Sequence, residues 1–588
     1  MAVKKGKRSA RRVGGASRTG NRTTTSRSSG RSAAKRKPAK RPAKKTTAKK
    51  GTRARAAAAL INFIPNDPHA VNGPAMRAEA ARPNRTGRVA KFAFERPPAR
   101  AGLHQPGTAG FLYWQSRQSA LAAVAAFEAA DGPLGAWSDF ATQPLPLEAD
   151  AGRDLNAYYS RDSVSFFHSV LKGGPTFSGA SVDCVAHEVG HAILDALRPD
   201  LWDSSLTEHA AFHEAFGDCI AMLTALADAQ TRTLLLALTP DLSKRNFLET
   251  ILEDLANGVK LVEGVVDGSK PRRSLNKLKW RLPSTLPASL AAGHDPDELT
   301  GEVHSFARVF TGCFYDVVRN VFTSRASRTS TALLSASRTA GALLAQAART
   351  AVESPRFYEA MGVAMLAADI ASNRGANQAA ILRAFANHGI ALAHPARAFQ
   401  PRARVTGGVA KRARGAAALS DRAVAAEIRR RLGADGGTIR VDDLTLGAET
   451  ASKFVHQRNV DLSGLSAALD GVVASAPEPV VVSRAGATAA TTLSAMPDPH
   501  TTEDEVRYFA MTLLQNGQLG EHTSAQGTAA RGGGMVLSAM PLRGRARRSE
   551  GGGVSDSPTH VVASRGAERV LTRVRFACGC ARASRRST

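Results

Sequence analysis

The chain has few aromatics and fewer cysteines. Phe, Tyr and Trp together make up 5% of its 588 residues, so any large core must be built mostly from Ala, Val and Leu. Five cysteines are too few and too scattered for the disulfide framework of a small secreted domain. Cys184, Cys219 and Cys313 lie in apolar helical text and read as small core residues. Cys578-Gly579-Cys580 is spaced too closely for a Cys-x-x-Cys metal half-site and has no second pair to complete one. Its reading is an exposed, redox-sensitive pair. Uninterrupted apolar runs are short. None reaches the roughly 18 residues that a bilayer span needs, so no membrane span is expected. The first apolar run, Ala56-Ala57-Ala58-Ala59-Leu60-Ile61, sits behind a very long basic region, which is not the layout of a secretory signal. The default expectation is a cytoplasmic protein, with a non-standard secretion route left open. The Gly-rich stretches 531–534 and 550–553 lack the strand and the Gly-Lys-Ser/Thr that a phosphate loop requires.

Acids are missing from the start of the chain: none precedes Asp67. The first 60 residues carry 21 of the 79 Lys and Arg, so the formal net charge of +29 falls to +8 without them. This segment is rich in Ala, Ser, Thr, Gly and Pro and cannot bury enough apolar surface to fold, so residues 1–60 read as a disordered basic N-terminal tail. It resembles the low-complexity basic tails of linker histones. Contact with nucleic acid or another polyanion would follow from counterion release, without sequence preference. No aromatics interleave the charges, so base stacking is not indicated. The plainer reading is a solvated tail with no dedicated partner.

What the chain does have is His187-Glu188-Val189-Gly190-His191, followed 23 positions after His191 by Glu214. Four residues are about one helical turn, so the two imidazoles project from one face and can take two corners of a tetrahedral Zn²⁺. Glu188 is placed to reach a water on that metal and take its proton. Val182, Val185, Ala186, Val189, Ala192, Ile193 and Ala196 recur at helical spacing, and no Pro intervenes before Pro199. The third ligand is open to Glu208, His209, His213, Glu214 and Asp195. Glu214 is favoured because Asp218 lies four residues on, where a carboxylate can accept the free N–H of a metal-bound His. Position 197, where a third His would complete the metzincin pattern, is Leu197.

Residues 154–218 resemble the thermolysin-like zinc metallopeptidases. The matching text is Asn156-Ala157-Tyr158-Tyr159, then Asp183-Cys184-Val185-Ala186-His187-Glu188-Val189-Gly190-His191, then Glu214-Ala215-Phe216-Gly217-Asp218. The resemblance implies His187, His191 and Glu214 as zinc ligands and Glu188 as general base. It implies that Asp218 orients a ligand His, and that Asn156 and the Ala157 carbonyl hold the substrate backbone along an edge strand. Gly301-Glu302-Val303-His304 resembles the family segment whose His donates to the tetrahedral oxyanion, which makes His304 catalytic. Arg273 aligns with the family's Arg that binds a substrate carbonyl. The family's cleft Tyr has no counterpart between His191 and Glu214, and Trp202 falls nearest. Leu299 stands where the acidic partner of the oxyanion His would fall, leaving Asp297, Glu298 or Glu302 as substitutes. Asp183 matches one calcium ligand of the family, but Ala225 replaces another, which argues against calcium.

The expected fold is α+β: a thermolysin-like two-lobed catalytic domain over residues 95–395, with an N-terminal α+β lobe and a mainly helical C-terminal lobe. A linker and helix would follow over 396–435. Residues 436–588 form an accessory region of unknown fold, read as small and α/β from Val-rich runs at 479–482 and 560–563 and a helix near 503–515. Two short strings recur there: Leu493-Ser494-Ala495-Met496-Pro497 as Leu537-Ser538-Ala539-Met540-Pro541, and Val481-Val482-Ser483-Arg484 as Val562-Ala563-Ser564-Arg565. The expected activity is zinc-dependent endopeptidase action on peptide or protein substrates; the alternative is a non-catalytic or nucleic-acid-tethered protein that uses the basic tail to bind polyanions.

Overall fold

The computed structural model describes residues 59–83, 90–171, 174–263, 272–291, 294–295, 297–393, 403–405, 421–434, 439–446, 449–483, 490–494, 496–520 and 558–578. All but the end of the basic tail lies outside these residues, as do the Gly-rich stretches, Cys580 and the Leu537-Ser538-Ala539-Met540-Pro541 string. The described residues are mixed α/β, with eleven α-helices and five sheets.

Strands β1 (Leu60–Phe63) and β2 (Arg77–Ala80) form a hairpin-like antiparallel pair. A five-stranded sheet contains β3 (Phe92–Phe94), β4 (Leu145–Glu148), β5 (Ala157–Tyr159) and β6 (Val164–Phe166). Helix α1 (Ala109–Asp131) crosses between β3 and β4. The pair β7 (His168–Leu171) and β8 (Gly174–Phe177) leads to the central helix α2 (Val182–Leu197). Ser181 caps α2, its hydroxyl accepting from Cys184 N at 3.3 Å, and Asp183 in the first turn suits the helix dipole. Pro199 follows its last turn, where a helix cannot continue.

Helix α3 (Thr207–Ala227) packs along α2 and is buried almost throughout. It is the one helix among the described residues that is apolar and long enough to cross a membrane, and 94% of that stretch is buried inside the fold. Two glycines set the distance between the helices. A Cβ on Gly190 would stand 2.7 Å from Gly217 Cα, and one on Gly217 would stand 2.6 Å from His187 Nδ1. The absence of both side chains lets the α2 imidazoles meet the α3 carboxylates. Next come α4 (Ala229–Leu238), β9 (Thr250–Ile251), α5 (Glu253–Glu263) and β10 (Arg272–Arg273). Helices α6 (Val303–Thr323), α7 (Ser330–Thr350), α8 (Phe357–Asn373) and α9 (Gln378–Asn387) surround α3 with Val-, Leu-, Ala- and Phe-rich faces.

The remaining elements are β11 (Ala403–Val405), α10 (Asp421–Arg431), β12 (Ile439–Leu446), β13 (Glu449–Asp461), β14 (Val472–Ser483), β15 (Ala490–Thr492), α11 (Pro499–Gln515), β16 (Leu519–Gly520), β17 (His560–Arg565), β18 (Glu568–Arg573) and β19 (Phe576–Ala577). All of these strands except β19 form one eight-stranded sheet. In it β12, β13 and β14 run antiparallel and β14 takes β18 in parallel. Val506 and Ala510 of α11 and Val424 and Ile428 of α10 pack on its apolar residues. Two hydrogen bonds tie the sheet and α11 to the main core: Ser205 N donates to Ser475 O at 3.0 Å, and the Tyr508 hydroxyl donates to Leu286 O at 3.0 Å. β19 leaves this sheet and joins the five-stranded one, antiparallel to β5, with Phe576 opposite Tyr159 and Ala577 opposite Tyr158. The final sheet order is β19-β5-β6-β4-β3.

Candidate metal centre

Because α2 presents His187 and His191 on one face and α3 presents Glu214 opposite, three donor groups converge. His187 Nε2 lies 3.2 Å from Glu214 Oε2, and His191 Nε2 lies 3.6 Å from Glu214 Oε1. Donors bound to a tetrahedral ion at about 2.0–2.1 Å stand about 3.3 Å apart, so this spacing fits a metal. Donor atoms of His187, Glu188 and His191 also lie within 4.8 Å of one another. His187, Glu188 and His191 have no exposed surface, and Glu214 is buried with them. His191 Nε2 and Glu188 Oε2 are buried with no hydrogen-bond partner. Leaving such atoms unsatisfied costs about 1–3 kcal/mol each, and a cation between the imidazoles would satisfy the first. The residues present therefore fit a metal ion.

The surrounding groups orient these donors. His187 Nδ1 donates to Asp218 Oδ1 at 2.9 Å, and Thr311 Oγ1 donates to Asp218 Oδ2 at 3.2 Å. That hydrogen bond leaves His187 Nε2 for a metal. His191 Nδ1 pairs with His213 Nδ1 at 3.4 Å. Arg272 Nη1 reaches Glu214 Oε2 at 3.0 Å and Asp218 Oδ1 at 3.4 Å. His304, at the start of α6, stands 3.2 Å from Glu214 through Nε2 and 2.7 Å from Glu302 through Nδ1. Glu302 also caps α6, accepting from His304 N and Ser305 N. It thus takes the place beside the imidazole for which Asp297 and Glu298 also competed.

The charges follow from these neighbours. Burial pushes the Glu188 carboxyl up to about 7, against the opposing pull of His187. Burial would also raise Glu214, but His304, His191 and the His187 hydrogen bond override it and hold it well below the carboxylate range. Burial would strip His304 of its proton, yet Glu214 and Glu302 hold it well above the ordinary histidine value. His191 is pushed well down by burial, which leaves it neutral and available as a donor.

The other candidates are placed as follows. Asn156 is buried at the start of β5, where its Oδ1 accepts Ala157 N at 2.9 Å. The Ala157 carbonyl faces outward from β5 and accepts Cys578 N at 2.9 Å. Arg273 turns away from the donors and pairs with Glu249 at 2.7 Å, so Arg272 is the arginine inside the site. Glu208, an alternative ligand, instead accepts Trp280 Nε1 at 2.7 Å and Tyr358 N at 2.8 Å. Asp195 binds Arg161 and Tyr159. Trp202 donates to Arg573 O at 3.3 Å. Cys578 is not exposed: it is buried, with Sγ 2.6 Å from Glu188 Oε1. Nothing local in the sequence marks Cys578 as part of this centre. For Arg272, strand alternation would have been the signal, but β10 is only two residues long.

No protein-family model matches the chain, and no curated protein matches it.

Proposed function

We propose that the chain is a zinc-dependent endopeptidase of thermolysin-like, two-lobed build, with the β3–β8 region on one side of the cleft and helices α3–α9 on the other. The observation that carries this is the paired imidazoles with Glu214 at ligand spacing, beside a buried carboxyl, Glu188, that is not needed as a ligand. His187, His191 and Glu214 would hold the metal. Zinc bound there would supply Lewis acidity and an acidified water near neutral pH. Glu188 takes the proton of the attacking water and later delivers it to the departing amide nitrogen. The His304 imidazolium, steadied by Glu302, donates its Nε2–H to the substrate carbonyl oxygen as negative charge develops there. β5 is not an edge strand in the fold, because β19 pairs with it; with β19 withdrawn, β5 would align the substrate as an added antiparallel strand, the Ala157 carbonyl accepting a backbone N–H. Asp218 fixes the tautomer of His187, and Arg272 holds Glu214 in place.

The test is zinc content and casein-peptide cleavage, measured on wild type and Glu188→Gln, each with and without Cys578→Ser, because Cys578 leans on Glu188. All four chains are expected to hold about one zinc; only the two with Glu188 should cleave, and the one with Cys578 intact at the lower level. Zinc in all four with cleavage in none would reduce the centre to a structural one. Zinc in none would remove the metal assignment itself.

A further inference from the structure

Residues 576–578 lie between β5 and the start of α6, and they are held there as an extended peptide would be. Cys578 N donates to the Ala157 carbonyl at 2.9 Å, and the His304 imidazole donates from Nε2 to the Ala577 carbonyl at 2.8 Å. The peptide bond between Ala577 and Cys578 is thus gripped on both of its polar atoms. The Phe576 ring stacks on His213 at 4.0 Å and on the ligand His191 at 4.7 Å. Cys578 Sγ is brought to Glu188 Oε1 at 2.6 Å and to Arg272 Nη2 at 3.7 Å. The neighbouring His191 Nε2 and Glu188 Oε2 are the buried atoms without a partner.

We infer that Cys578 is a metal ligand supplied by the chain itself: its thiolate closes the fourth position over His187, His191 and Glu214, while residues 576–578 fill the substrate groove. The inference rests on the metal-centre reading above. Three donors leave one tetrahedral corner for water or substrate in a catalytic zinc site, whereas a fourth protein ligand closes it. Thiolate sulfur is a preferred ligand for zinc. A metal held with Cys578 as fourth ligand would have no position left for water, and the Glu188 carboxylate, 2.6 Å from the sulfur, is the acceptor placed to receive the thiol proton. The one arrangement therefore removes the water, protonates the base and blocks the groove, and the folded chain is latent.

The experiment loads the full metal-free chain with Co²⁺ alone and records its absorption spectrum. Wild type is expected to show a sulfur-to-cobalt charge-transfer band. That band should be absent from Cys578→Ser, which still binds Co²⁺, and retained in Cys184→Ser, the neighbouring thiol. Casein-peptide cleavage by the zinc form of Cys578→Ser should rise roughly tenfold or more, because activity scales with the fraction of molecules whose groove is open. Cobalt bound to wild type without the sulfur band overturns the inference and leaves the metal centre standing. A Cys184–Cys578 disulfide in the unreduced wild-type digest also overturns it. No cobalt bound to any chain defeats the metal-centre reading along with it. If Cys578→Ser fails to fold, wild type without the band still overturns the inference, and the band retained in Cys184→Ser still excludes the neighbouring thiol.

Discussion

Glu208 and Glu214 lie six positions apart on the same buried helix and do opposite jobs. Cationic and imidazole neighbours hold Glu214 ionised, whereas burial pushes Glu208 up to about 8, with only two neutral donors facing it. The folded state therefore keeps a proton on Glu208 that the unfolded chain releases above about 4.5. Its contribution favours folding at low pH and is lost as pH rises from about 4.5 to 8. Denaturant unfolding of the metal-free protein across this range should show that slope in wild type and a shallower one in Glu208→Gln. Equal slopes would mean that Glu208 is ionised throughout. Residues with a local rationale were visible in the sequence. His187, Glu188 and His191 follow from one helical turn, and Asp218 follows from its i+4 relation to Glu214. Cys578 was not visible, because it meets Glu188 across 390 positions of chain and its own strand is too short to carry a pattern. Arg272 and Arg273 are chemically identical, and only the backbone of β10 decides which one faces inward.

The crossing of α2 and α3 is what converts two helical motifs into one centre. Gly217→Ala would drive a methyl group into the His187 ring, with contacts of 2.6–2.9 Å to Nδ1, Cε1 and Cγ. The ring is also held by Asp218, so it cannot simply turn away. The expected result is a loss of about 1–3 kcal/mol in stability and a clear fall in zinc affinity, read by chelator competition. Gly190→Ala meets the Gly217 backbone instead and should cost stability with less effect on zinc per unit of stability lost. If Gly217→Ala binds zinc as wild type does, the close approach is not what sets the ligand geometry. The elements themselves were partly legible. The helix expected near 503–515 runs Pro499–Gln515, and the Val-rich runs fall on β14 and β17. The parallel pairing of β14 with β18, and the escape of β19 into another sheet, depend on long-range partners that no local periodicity records.

At the scale of the whole molecule, charge and chemistry are separated along the chain. The candidate metal centre draws on residues 156–304, with residues 576–578 beside it, while the basic excess lies before residue 60. We propose that this excess tethers the chain to nucleic acid or another polyanion. Retention on DNA should fall steeply with salt and should be lost when residues 1–57 are removed, a cut that leaves β1 whole. Peptide cleavage should be unchanged by the same cut. Retention that survives the cut would place the polyanion contact elsewhere.

Only Val574 and Arg575 lie between β18 and β19. A link of two extended residues reaches about 7 Å, so the inserted strand has almost no room to wander once β18 is in place. Its local concentration at the groove is then in the millimolar range or above. A free peptide of the same sequence would compete poorly against it at ordinary doses. On the latent reading proposed above, access to the centre would be governed less by how tightly a substrate binds than by how often β19 leaves β5.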